Sequence, residues 1–135
     1  MSQENVETFK RGLEAYNRRD VEAVLATVDP EVEWHPLLPV LLEGEATVYR
    51  GHEGVRELVR ELDEAFPDLQ SELSEVRDLG EQVLAIGQLR GRGKERGVKT
   101  KSDIVWLAEL KNGKGVRIRE YLDPDEALEA AGLSE

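Results

Sequence analysis

The apolar pattern of this chain changes period once, around Phe66-Pro67-Asp68-Leu69, and that change limits the possible folds more than any other feature. Upstream, apolar residues recur every three or four positions, as on helix faces. Downstream they alternate, as on strands. Val6, Phe9, Leu13 and Tyr16 mark one helical face, and Val21, Val24, Leu25 and Val28 a second, which Asp29-Pro30 stops. Val32 and Trp34 alternate with Glu33 and His35, predicting a short strand. A third helix opens at Gly51-His52-Glu53-Gly54 and carries Val55, Leu58, Val59, Leu62, Ala65 and Phe66 on one face. Strands are predicted over Leu69–Leu79, Gln82–Arg92, Lys101–Leu110 and Val116–Leu122, the last two joined as a hairpin across Lys111–Gly115. Asp123-Pro124-Asp125-Glu126 has the form of a capping box, opening a final helix that ends at Gly132. Helices followed by mostly antiparallel strands predict an α+β fold, with the helices on one face of a curved sheet. The 135 residues suffice for one domain, 1–135, and one core.

Composition narrows the function classes. A net charge of −11 argues against general affinity for nucleic acid or an anionic membrane. Six basic residues against one acid do gather at 90–101, but no aromatic residue is interleaved to stack on bases. The expected role of that hairpin is a solvated turn whose charges offset the acidic helices; the alternative is that Arg90 and Arg92 reach into a pocket and hold a carboxylate. The absence of cysteine removes thiolate nucleophiles and thiolate metal sites. His35 and His52 lie in no metal-ligand pattern, so neither metal nor cofactor is expected. No apolar run approaches a membrane span or a signal core, which predicts a cytoplasmic protein.

The stretch from Val32 to Gly54 holds both histidines, and LLPVLL within it is unusually apolar for a connection. At least two of Leu37, Leu38, Val40, Leu41 and Leu42 are expected to roof a cavity or the third helix. His35 stands at the mouth of this loop, and the loop returns to the body at Tyr49.

Several runs together carry a resemblance: AYNRRDVEAVLATVDPEVEW (15–34), YRGHEGVREL (49–58), FPDL (66–69), GRGKERGV (91–98), the pair Val105-Trp106 and REYLDPDEALEAAGL (119–133). Their order resembles the nuclear transport factor 2-like superfamily, and its SnoaL-like group in particular. The resemblance implies a cone-shaped half-barrel with a cavity beneath three helices, and a homodimer formed through the outer face of the sheet. It also implies a small, largely apolar organic ligand and, in some members, isomerase, cyclase or hydrolase chemistry. The ketosteroid isomerase pattern is not matched: Trp34 and His35 occupy the place of its base, Gly12 lies near that of its oxyanion tyrosine with Tyr16 a turn later, and Val105 that of its second acid. The last-strand run Arg119-Glu120-Tyr121-Leu122-Asp123 resembles that of limonene-type epoxide hydrolases and puts Glu120 where a catalytic acid stands. Asp103 and Asp123 both remain open as the acid–base residue of a cyclase.

Hairpin register sharpens this. Centring the last turn on Gly113 pairs Glu109 with Arg117 and sets Glu120 opposite Trp106. One face then reads Ile104, Trp106, Ala108, Leu110, Val116, Ile118, Glu120 and Leu122, with Glu120 as its only charge. The opposite face, with Val105, Leu107 and Tyr121 beside Glu109, Arg117 and Arg119, suits a dimer contact. The catalytic candidates are therefore Glu120, His35 and Asp103, with Arg90 or His35 expected to reach Glu120. Trp34, Tyr16, Tyr49, Arg90 and Trp106 are the candidates for holding a ligand. Two classes stay open: an acid–base enzyme, or a binding or dimeric structural module without turnover.

Overall fold

Four helices and six strands occupy the described residues, 2–37, 47–92 and 99–132, of the computed structural model. They run α1 (Ser2–Asn17), α2 (Val21–Leu25), β1 (Val28–His35), β2 (Tyr49–Arg50), α3 (Gly51–Ala65), β3 (Gln70–Asp78), β4 (Gln82–Arg92), β5 (Lys99–Lys111), β6 (Lys114–Tyr121) and α4 (Pro124–Ala130). The strands form a curved, open sheet in the order β2-β1-β6-β5-β4-β3. Every pairing is antiparallel except β1 with β6, which is parallel. The expected α+β architecture is present.

The β5–β6 hairpin has the register read from the sequence: Glu109 faces Arg117 and Trp106 faces Glu120. Its turn is Asn112-Gly113 with φ of 53° and 77°, a pair of positive angles that Asn-Gly tolerates and that matches strand twist. A bulge between Glu109 and Leu110 sets Leu110 against Gly115, so the strict alternation does not hold at Val116.

The concave face of the sheet meets α1, α2 and α3. Phe9, Leu13, Val24 and Val55 pack there against Val32, Val83, Ala85, Ile104, Trp106, Ala108 and Ile118. Each Val, Leu, Ile or Phe among them, fully buried, contributes about 1.5–3 kcal/mol. Phe9 meets the Trp106 ring edge-on, with centroids 5.9 Å apart. At the β3 edge, Asn17 closes the end of α1 onto the strand: Ser71 N donates to Asn17 Oδ1 (2.9 Å) and Asn17 Nδ2 donates to Ser71 O (3.0 Å). Arg19, at φ 60°, ties the same corner by donating to Asp63, Pro67 O and Leu69 O.

Three expectations need correction. Val28 is not the end of α2 but the start of β1, paired with Gly115; the helix stops at Leu25, and Thr27 Oγ1 donates back to Val24 O (2.7 Å). Asp29-Pro30 therefore lies inside a strand, in the irregular stretch between Val28 and Glu33 where a missing N–H costs little. Leu122 does not join the concave face; it is 47% exposed past the end of β6. Val105 and Leu107, expected to meet a second copy, are instead covered by the chain's own α4: they cluster with Leu84 and Ala127, all 1% exposed or less.

Candidate ligand-binding site

Between the helices and the concave face lies a cavity whose walls are mostly apolar. Leu13 and Tyr16 of α1, Leu58 and Leu62 of α3, and Leu69 and Leu89 from the sheet side form most of its surface. Trp34 of β1, Trp106 of β5 and Glu120 of β6 complete the wall nearest the strand ends. The space is about 40 Å³. That is room for roughly three waters, or for one small organic molecule.

Glu120 is the only charged residue among the described residues lining this space. Strand alternation aims it inward beside Ile118, as the register required. Trp34 Nε1 donates to Glu120 Oε2 and the backbone N–H of Leu37 donates to Glu120 Oε1, both at 2.8 Å. Burial pushes the carboxyl above its usual range; the N–H groups of Trp34, Leu37 and Trp106 pull the other way without cancelling it. Glu120 as a whole is half-buried, because part of its surface opens onto the cavity.

Tyr16 is the second polar group. Its Oη is buried and has no hydrogen-bond partner among the described residues, and the phenol is pushed up from 10.0 to about 12, chiefly by burial. The Glu120 carboxylate contributes to that rise, while Arg19, whose guanidinium lies 4.6 Å from the ring centroid, opposes it. Glu120 and Tyr16, with Ser71 as a third polar residue on the wall, thus belong to one mostly apolar volume.

The other candidates are elsewhere. His35 points to the convex side, out of phase with Trp34, with Nε2 3.5 Å from the Glu33 carboxylate. Asp103 is exposed on β5 and accepts from Gln88 Nε2 at 3.0 Å, outside the cavity. Arg90 is paired with Glu72 on the surface at 3.0 Å and does not approach Glu120. Tyr49 is buried against α3, where its hydroxyl donates to Glu61; it is not among the described residues lining the cavity. Trp34, Tyr16 and Trp106 do line it. Of the five apolar loop residues, Leu37 is buried at 9% in the core, while Leu38, Val40, Leu41 and Leu42 lie outside the described residues.

Sequence reasoning missed three contributors. The Leu37 N–H is a backbone donor with no side-chain signature. Pro36 and Ser71 line the cavity from positions without a clear period. By contrast, Leu58 and Leu62 were legible as the inner face of α3.

Comparison with known families agrees with this architecture: residues 9–119 match the model of the SnoaL-like domain. The chain belongs to the SnoaL-like family. No curated protein matches the sequence significantly. Among solved structures, this SnoaL-like chain is similar to an NTF2-like protein of unknown function from Burkholderia pseudomallei, at 24% identity over 96% of each chain and a TM-score of 0.79. An NTF2-like protein from Burkholderia xenovorans is 28% identical over 98% of this chain and 97% of its own, with a TM-score of 0.72. A candidate SnoaL-like polyketide cyclase from Jannaschia is 20% identical, covers 97% and 91% of the two chains, and has a TM-score of 0.74.

Proposed function

We propose that this SnoaL-like protein binds a small, largely apolar organic molecule in the cavity under its helices and exchanges a proton with it through Glu120. The observation that carries this reading is a carboxylate at the wall of an otherwise apolar space, gripped by Trp34 and the Leu37 N–H. A carboxyl lifted above its usual titration range by burial is suited to general acid–base work. Tyr16 Oη supplies a neutral donor on the same volume, suited to an oxygen that gains charge during isomerisation, cyclisation or hydrolysis. Leu58, Leu62 and Leu89 take up the apolar remainder of the ligand.

One observation favours a second reading, a binding module without turnover. Both Glu120 oxygens already accept protein N–H groups, so the carboxylate also serves to fix Trp34 and the start of the loop after β1. Native mass spectrometry of freshly purified protein tests the common part: a retained small molecule is expected in the wild type and lost in Leu58→Trp, which fills the cavity. Its chemical conversion on incubation, abolished in Glu120→Gln, separates catalyst from binder. A wild-type spectrum of bare chain, with no small molecule retained or taken up from a metabolite extract, would refute the proposal.

A further inference from the structure

A second space lies behind the first. It is about 30 Å³, and its walls include Thr8 and Gly12 of α1, Thr27, and Ala108, Gly115 and Ile118 of the sheet. No charged side chain among the described residues lines it, and its two hydroxyls are already engaged. Thr27 Oγ1 donates to Val24 O at 2.7 Å, and Thr8 Oγ1 accepts from Arg11 Nη2 at 3.3 Å. Leu13, Val24 and Trp34 line both spaces, so these three form the partition between them. The indole is the broadest of the three, and it is pinned from the front, where Trp34 Nε1 donates to Glu120 Oε2 at 2.8 Å. Resting on the reading that the front cavity is the working site, we infer that Trp34 is the residue that limits ligand length, stopping the ligand at the indole and keeping it out of an apolar chamber that would take an alkyl chain.

The limit follows from what would have to move to open the rear chamber. Leu13 and Val24 belong to α1 and α2 and are only 8% and 2% exposed, so displacing either disturbs the packing of a helix. Trp34 sits in β1 between two neighbouring strands, beside Tyr49 of β2 and Ile118 of β6. Turning its indole away breaks the bond to Glu120 and leaves a buried carboxylate oxygen short of a donor. The partition therefore stays closed to a ligand whose polar end engages Glu120 and Tyr16. The ligand class that fits is a compact molecule without an alkyl tail, and with the indole removed the rear chamber offers methylenes an apolar wall.

Calorimetric titration with phenol and its 4-alkyl derivatives, from methyl to pentyl, reads this limit as a length. Every member presents the same hydroxyl, so the effect of a variant on Glu120 or Tyr16 is common to the series and only the dependence on chain length counts. While room remains, each methylene should tighten binding by about fourfold. The wild type should stop gaining early in the series, and Trp34→Leu should go on gaining for about two members more. Gly115 lines the rear space and not the front one, and a Cβ there would stand 3.5 Å from Val28 Cγ1, in ordinary contact. Adding Gly115→Ala to Trp34→Leu should therefore shorten the series by about one member, which a hole left by the indole alone would not do. Trp34→Phe, which keeps a ring, serves if Trp34→Leu does not fold and should lengthen the series by a smaller step. A wild type that gains through the whole series, a folded Trp34 variant that stops where the wild type does, or a gain that Gly115→Ala leaves untouched would each overturn the assignment and leave the cavity reading intact. So would failure of every phenol to bind while native mass spectrometry shows a retained molecule. Failure of every phenol, with a bare chain in the native spectrum, would sink both.

Discussion

Glu120 and Tyr16 hold their protons longer in the folded chain than in the unfolded one, and the consequence for stability has a definite sign. For Glu120 the folded carboxyl titrates above the ordinary 4.5. In that window the native state binds more protons than the unfolded state, so stability falls as pH rises from the ordinary value through the raised one. Glu120→Gln should remove this fall, leaving a flatter profile across the same window in urea denaturation. For Tyr16 the window runs from 10.0 to about 12, and stability again falls with rising pH. Tyr16→Phe should abolish that alkaline loss. At neutral pH it should stay within about 1 kcal/mol of wild type or exceed it, because the lost hydroxyl has no partner among the described residues. Not all of the site was equally legible in the sequence. The alternation that aims Glu120 and Trp106 inward also aims Asp103 outward, and His35 is out of phase with Trp34, so the signal against both was already present. Tyr49 follows a segment without a period, and nothing local announced its burial.

Among the elements, α3 and the β5–β6 hairpin were readable because their signals are local: an unbroken helical stripe and one cross-strand charge pair. The end of α2 was not, since Val28 satisfies both a helix face and a strand face, and only its pairing with Gly115 decides. Where α1 crosses Thr27, Gly12 is needed for closeness. A Cβ there would stand 2.9 Å from Thr27 Oγ1, whose hydroxyl is tied to Val24 O. Alanine gains about 0.5–1 kcal/mol in helix preference, but overpacking costs typically 1–3 kcal/mol. Gly12→Ala should therefore destabilise on balance, read as a lower midpoint in thermal unfolding. On the other side of the sheet, α4 protects Leu84, Val105 and Leu107 through Ala127, which is 0% exposed. Ala127→Glu should release this helix, costing about 2–4 kcal/mol and exposing an apolar patch that binds a hydrophobic dye.

At the scale of the whole molecule, the convex face divides into an apolar part roofed by α4 and a charged part with Glu109, Arg117 and Arg119. Glu109 Oε1 accepts from Arg117 Nε (2.8 Å) and from Arg119 Nη2 (3.3 Å), a cluster in which Arg117 is exposed and Glu109 and Arg119 are partly buried. We propose that a second copy docks on this remaining area. Light scattering at micromolar concentration should then give twice the chain mass of 15.2 kDa. A mass of one chain would remove the proposal, and Arg117→Glu should weaken a true dimer.

The parallel pairing of β1 with β6 has a temporal consequence. It places Trp34 against Glu120, partners 86 positions apart, so the wall of the cavity joins an early part of the chain to a late one. During synthesis, the helices and the first strand leave the ribosome long before their last neighbour does. Until then the edge of β1 that faces β6 has no pairing partner, and its backbone groups are open to chaperones or to premature association. Closing so long a loop is slow and comes only after the β3–β6 meander offers an edge to join. Tryptophan emission should therefore reach its native value in the last phase of refolding, after the bulk of the sheet signal, and a ligand of this cavity would find no half-built version of its site to enter.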